Sequence, residues 1–453
     1  MSHYRYVLPV AFMLCVIPTL VNAQPAASTD GPTKGRFLGL QAATEIALQN
    51  HPLVQEANAG LIASSARVDQ TKSLYYPQVY ANADSAAGAA RINPRFVTPA
   101  GGLLQPNLSQ YTAGVLASQR IYDFGFTKNL VASSQYGERA QEQDVNARRA
   151  LVIVNVQRSY LNSLKRLRLV RIAEETVRER GTIVSQIETL YRQQLKSKLD
   201  LDLVRVELVN AEALLIRARN DLKSSFADLN RSMGIQGAED YTLEDVAIDV
   251  KTQRALNDLI ADSLAHPELK RAKEQTAAAE AKKRAMKSQY LPTVSAIASG
   301  GYYDTFDPGR NVATGGWWAA GGLVSMPIFT GGLIENQVKE AAAQQAAALA
   351  QSTNIEQALT QQVTNAYLDT TTFAQQIKLG EELVKTALEA LNLAKQRYKL
   401  GLGSIVEVTQ SEVGLTAAQT KLAEAQYDYK IAEVTLAYAA GGSAQLQLDP
   451  AVR

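Results

Sequence analysis

Apolar residues recur at helical spacing from Phe126 to Leu195. Ile153, Val156, Tyr160, Leu164, Leu167 and Val170 keep the period, while Arg158, Lys165, Arg166, Arg168 and Arg171 take other positions. No proline stands between Pro106 and Pro267, or between Pro327 and Pro450, so nothing forces a break in either long run. At about 1.5 Å per residue, the run predicts a helix on the order of 100 Å long. A second such run starts at Leu333 and aligns Leu383, Ala387, Leu391, Ala394 and Tyr398 on one side. Each run enters a short break, Tyr191–Asp200 or Tyr398–Glu407, and then resumes. After the second break Leu415, Ala418, Leu422, Ala425, Tyr429, Ala432 and Leu436 step by three and four, a coiled-coil seam. The same seam is written 207 residues earlier as Leu208, Ala211, Leu215, Ala218, Leu222, Ser225 and Leu229. The pattern therefore predicts two antiparallel helical hairpins, turning near 191–200 and 398–407, within an internal duplication. Gly234 and Gly441, also 207 apart, close the two units.

The duplication reaches further back. Ala43, Ile46 and Ala47 lead to a stop at Asn50-His51-Pro52, and Ala265-His266-Pro267 repeats that stop. Proline is tolerated in the first helical turn and biases its predecessor away from helix, so a new helix starts at each site. His51 and His266 are accordingly read as helix-start residues; a metal pair is the other reading. After Pro77 the period changes to two. Val79, Ala81, Ala83 and Ser85 alternate with Gln78, Tyr80, Asn82 and Asp84, and Tyr111, Ala113, Val115 and Ala117 alternate with polar or small neighbours. The strand-like runs are about 10 to 13 residues, the length of a tilted membrane strand. Between them lies a Pro/Gly-rich turn with Asn93-Pro94 and Pro99 to Gly102. The counterpart, with Val294, Ala296, Ala298, Trp317, Trp318 and Phe329, folds back around Asp307-Pro308-Gly309. The expected organisation is a first repeat over 37–234 with a β-hairpin at about 77–124, a connecting segment at mid-length over 235–261, a second repeat over 262–441 with a β-hairpin at about 292–330, and a polar tail over 442–453.

Composition adds the compartment. Arg5, an apolar run from Val7 to Val21 and the small-residue site Val21-Asn22-Ala23 read as a signal peptide over 1–23, followed by a flexible segment over 24–36. The one cysteine, Cys15, falls in that leader, which excludes disulfides and thiolate chemistry from a cleaved chain; lipid attachment at Cys15 is the alternative. A formal net charge of +2 excludes a strongly basic nucleic-acid binder. No later stretch holds the 18 or more apolar residues of a helical membrane span, so a membrane crossing must be made by strands. Four strands cannot close a barrel, and open edges cannot face lipid. Two chains would supply eight strands and three would supply twelve.

These residues resemble the outer-membrane efflux protein family, the TolC-like ducts, over essentially the whole chain after the leader. The duplicated His-Pro starts, Tyr76-Pro77 and Leu291-Pro292 before the strands, Ile121 to Gly125 and Ile328 to Gly332 after them, and the two breaks carry the likeness. The resemblance implies an α+β membrane protein: a homotrimer whose shared β-barrel, four strands per chain, sits in outer-membrane lipid and continues into a long periplasmic α-helical coiled-coil barrel. It further implies a passive exit duct that meets a periplasmic adaptor, or membrane fusion protein, and an inner-membrane pump or transporter. Efflux of drugs or toxic compounds is favoured; type I protein secretion is the alternative within transport, and a non-conducting coiled-coil stalk or adhesin the alternative outside it.

By position, the resemblance implies periplasmic gate residues at Asp200 and Tyr398. Tyr398 can equally be a seam residue, and Asp200 and Glu407 can be helix N-terminal carboxylates. Glu407 could instead ring the entrance, with Lys196 and Lys198 partnering Asp200, Asp202 or Glu407. Gly403 and Gln410 stand where an arginine latch and a second acidic ring are expected. Leu195, Ser197, Gly401, Gly403 and Ser404 are the candidates for adaptor docking at the tip. Trp317 and Trp318 are candidates for the membrane interface, with burial between strands as the other reading; Tyr302, Tyr303 and Phe306 share that ambiguity. Phosphate-cradling loops, metal-ligand spacings and nucleophile elbows are absent from the sequence, so neither an enzyme nor a cofactor is expected.

Overall fold

The computed structural model describes residues 37–88, 96–97, 103–104, 108–237, 240–250, 253–306 and 315–441. The leader, Cys15, the 24–36 segment, both hairpin turns read from Pro and Gly, and the 442–453 tail lie outside them. In chain order the elements are β1 (Phe37–Leu38), α1 (Leu40–Asn50), α2 (Pro52–Lys72), β2 (Gln78–Gly88), β3 (Phe96–Val97), β4 (Leu103–Leu104), β5 (Leu108–Tyr122), α3 (Phe126–Arg192) and α4 (Lys198–Met233). They continue as β6 (Thr242–Leu243), α5 (Leu256–Ser263), α6 (Pro267–Ser288), β7 (Thr293–Phe306), β8 (Gly315–Ser325), α7 (Leu333–Lys399) and α8 (Ile405–Ala439). Both long helices, α3 and α7, have 67 residues. Both start after a left-handed glycine, Gly125 at φ 93° and Gly332 at φ 82°.

The helix starts have local causes. Nδ1 of His51 accepts from the Leu53 amide and Nδ1 of His266 from the Glu268 amide, each at 3.2 Å. Burial holds both imidazoles below their usual range. Asp123 turns β5 into α3, accepting from the amides of Gly125 and Thr127 at 3.2 and 2.9 Å. The repeats also differ in an instructive way. Phe124 (φ 51°) and Gln194 (φ 61°) hold left-handed backbone where the second repeat has Gly331 and Gly401. A side chain there costs about 1–2 kcal/mol, and glycine gives back about 0.5–1 kcal/mol in unfolded-state entropy. Gln194→Gly is therefore expected to gain about 0.5 kcal/mol per chain, and Gln194→Val to lose more than that, read as shifts of the urea midpoint.

One lateral order runs the length of the molecule. The main sheet is antiparallel with order β2-β5-β7-β8. Below it α2 packs on α3, α3 on α6 and α6 on α7; further down α4 packs on α3, α3 on α8 and α8 on α7. Each long helix thus prolongs a strand, and α2 with α4, and α6 with α8, stack end to end beside them. The main core lies at mid-length, where Val152, Val156, Tyr160 and Leu164 of α3 meet Leu229, Met233, Tyr427 and Val434. There β1 pairs with β6 in parallel, and the Tyr160 hydroxyl lies 2.9 Å from the carbonyl of Leu38 and 2.8 Å from that of Glu244. The connecting segment is shorter than 235–261: α5 begins at Leu256 and packs on α7 as α1 packs on α3, so it belongs to the second repeat. Its single short apolar face, on eight residues, left too little period to read.

Candidate functional site

Strand register separates two faces. Val79 pairs with Ala117, Ala113 with Tyr302, Ala298 with Ala320 and Gly300 with Trp318, which puts these residues on one apolar face. Gln78 with Ser118, Arg120 with Ser295, and Ser295 with Leu323 lie on the other, more polar face. A bulge between Arg120 and Tyr122 shifts the register at the helical side, where Tyr122 makes the last pair with Val294. Trp318, 83% exposed, belongs to the apolar face. Trp317 lies on the opposite face, because neighbours along a strand point apart, and Tyr302 and Tyr303 divide in the same way.

Periodicity did not reveal the second aromatic group. Tyr75, Tyr76, Tyr122, Phe124, Tyr290 and Phe329 are all exposed where the four strands meet the helices. They come from the non-periodic joints Tyr75-Tyr76-Pro77, Tyr122 to Gly125, Tyr290-Leu291-Pro292 and Ile328-Phe329; only their repetition at every strand end signals them. Seven residues of β8 and three beyond it separate Trp318 from Ile328, about 25 Å for extended chain tilted as membrane strands are. Among the described residues no helix is long and apolar enough to cross a membrane.

At the other end, the tip, Asp200 and Ser197 form a reciprocal cap. The Asp200 amide donates to Ser197 Oγ at 3.1 Å and the Ser197 amide to Asp200 Oδ2 at 3.2 Å. Ser404 Oγ similarly accepts from the Glu407 amide at 3.3 Å. Lys196 pairs with no carboxylate among the described residues: its Nζ lies over the Tyr398 ring, 4.1 Å from the centroid, linking the two helical hairpins. Glu407 pairs instead with Arg397 at 3.4 Å. Gly403 makes that possible, since a Cβ there would come within 3.1 Å of Glu407 Oε2 and 3.2 Å of Arg397 Cβ. The reason is chain direction: Arg397 is one turn before the break on the same hairpin, whereas Lys196 reaches across. Tyr398 is half-buried against Ile187, Leu391, Ala394 and Ile405, and its hydroxyl has no hydrogen-bond partner among the described residues. A groove of about 590 Å³ opens beside it, lined by Ile183, Ile187, Leu190, Leu195, Lys196 and Gly401 among others. Leu195 and Gly401 thus face the groove; Ser197 and Ser404 are caps, and Lys198 opens α4 exposed to solvent.

An antiparallel sheet with one apolar face, prolonged by helical hairpins on the order of 100 Å long and open on both sides, defines a class of channel subunits. The model of the outer membrane efflux protein family matches residues 43–235 and 260–442, and the chain belongs to that family. It is a family of channels rather than enzymes, placed in the outer membrane with a helical extension into the periplasm. The chain is 23% identical over 410 residues to the probable outer membrane lipoprotein SilC of Salmonella typhimurium, covering 87% of this chain and 84% of that one. It is 23% identical over 415 residues to the outer membrane protein TolC of Escherichia coli, covering 86% and 80%. Among solved structures, CusC superposes with a TM-score of 0.79 at 19% identity, covering 93% of this chain and 99% of that one. VceC of Vibrio cholerae superposes with a TM-score of 0.75 at 20% identity, covering 89% and 96%.

Proposed function

We propose that three copies of this chain form an exit duct: a twelve-stranded barrel in the outer membrane, continuous with a closed helical tunnel that receives substrates from an inner-membrane pump through a periplasmic adaptor. The observation that carries this reading is the pair of open sides. Among the described residues β2 and β8 have no outer partner in the sheet, and α4 and α7 end the helical layer with exposed apolar residues, Ile216 (72%) and Leu379 (66%) among them. The duplication supports a second copy of the chain as their cover. Ile172 of α3 is buried, yet its counterpart 207 residues on is exposed Leu379; Ala423 of α8 is buried, yet its counterpart is exposed Ile216. The contact of α3 with α8 inside one chain is thus the template for α7 against α4 of a neighbour. Such a head-to-tail contact gives a ring where its rotation closes and a filament where it does not, and the ring is the form proposed.

The apolar strand face, with Trp318 near one end and the tyrosine-rich belt at the other, fits a lipid band about 25 Å tall. The tip groove fits an adaptor end. Small toxic compounds are the favoured cargo, in keeping with curated relatives named for cation, solvent and toluene efflux. The gate is the Lys196–Tyr398 contact supported by the Asp200 cap. Replacing Tyr398 and Lys196 by Ala is expected to raise basal single-channel conductance in planar bilayers. Asp200→Ala removes the N3 half of the capping box, the acceptor of the Ser197 amide, and should have a smaller effect in the same direction. Unchanged conductance in the double variant would leave these residues structural.

A further inference from the structure

The seam between the two helical hairpins of one chain carries buried charge. Glu412 on α8 is 5% exposed, and its Oε1 lies 3.2 Å from Nζ of Lys395 on α7. Arg180 of α3 is buried nearby but is engaged elsewhere: its Nη1 donates to the Glu207 carbonyl at 2.6 Å and lies 3.0 Å from Glu207 Oε2 on α4. Its Nε is buried without a hydrogen-bond partner among the described residues. Glu179, the neighbouring α3 residue, adds another negative charge toward Glu412. Three carboxylates thus face two cations: Glu207 holds Arg180, Glu412 holds Lys395 and Glu179 is exposed, which leaves one negative charge over, and Glu412 is the carboxylate most removed from water. Burial pushes the Glu412 carboxyl above its usual range, against the pull of Lys395.

The layer is specific to this seam. The counterparts of Lys395 and Glu412, 207 residues away, are Glu188 and Arg205, an ion pair of reversed polarity at 3.6 Å whose Arg205 is exposed, and that of Arg180 is Ala387, so the buried carboxylate is found in this seam and not at its counterpart. At about 1.5 Å per residue it sits about 15–20 Å behind the tip. Between it and the tip, Ile187, Leu201 and Val204 of one hairpin meet Leu391, Ile405 and Val408 of the other. We propose that the Glu412 layer is a proton-operated fastener of this seam: a proton taken up by Glu412 removes the unbalanced charge and tightens the hairpins, and its release loosens them. A loosened seam admits water, in which the carboxylate ionises without penalty; the closed seam favours its neutral form. Acid therefore closes the tip.

The inference rests on the duct reading, and its test separates the two. In planar bilayers the opening frequency of the wild-type trimer should fall several-fold from pH 8 to pH 5, whereas Glu412→Gln, a neutral isostere, should stay low and flat across that range. A Glu412→Gln trimer that keeps the wild-type pH profile, or opens more at pH 8 than wild type, overturns the fastener. Spin labels on cysteines replacing exposed Arg178 and Ala417 give a readout that needs no conduction. Their distance distribution should narrow with acid in wild type and be pH-independent in Glu412→Gln. That pattern without conductance would leave the fastener standing and overturn the duct; no pH response of the distance in wild type overturns the fastener itself.

Discussion

Cysteines placed together at Val209 and Leu383 are expected to link neighbouring chains into covalent rings that end at the trimer. Within one chain Oγ1 of Thr176 on α3 lies 3.4 Å from Oγ1 of Thr416 on α8. The duplication carries Thr176 onto Leu383 of α7 and Thr416 onto Val209 of α4, both exposed in the single chain. In the proposed ring the same geometry would bring these two side chains together across the subunit boundary, within reach of a disulfide. Oxidised, detergent-extracted double variant should therefore run as a three-step ladder on denaturing gels, and each single variant as monomer. A ladder continuing past three, or monomer alone, would reject the twelve-stranded ring. Burying Asp at these sites should do the reverse: Val209→Asp with Ile216→Asp places two unpaired charges in that interface, at several kcal/mol per contact, and should leave monomer.

Gly301→Val is expected to abolish assembly of the strand region. A Cβ at residue 301 would collide with the Ala113 carbonyl oxygen and stand 2.7 Å from Gly114 Cα. Both are backbone atoms of β5, so neither can rotate away. Overpacking of this kind costs about 1–3 kcal/mol per site, and the cost recurs in every subunit. Loss of the heat-modifiable oligomer band from outer-membrane fractions is the measurement. Gly315→Ala is the control, since nothing lies within 4 Å of a Cβ there; its band should persist.

Much of the tip was legible because its causes are local. Ser197 with Asp200, and Ser404 with Glu407, cap through contacts three residues apart, and Gly401 adopts φ 73° because the break requires a left-handed residue. What Lys196 and Glu407 pair with was not legible. Whether a lysine reaches a carboxylate or an aromatic ring depends on how two hairpins are staggered. The belt at the strand ends was equally hidden, since its members are joined only by the side-by-side arrangement of four strands.

The sequence by itself determined the elements and their duplication: 3.6 and 2.0 periodicities, the 207-residue offset, glycine and His-Pro stops are properties of consecutive residues. The tertiary structure alone decided which copy lies inside. The seam residues of α4 and α8 are nearly the same, yet α8 is buried on two sides, by Tyr429 and Leu436 toward α7 and by Tyr427 and Val434 toward α3, while α4 has one side open. A hydrophobic pattern states that a face must be covered, and both helices satisfy that demand. Whether the cover comes from the same chain or the next is set by lateral order, which depends on contacts between residues hundreds of positions apart.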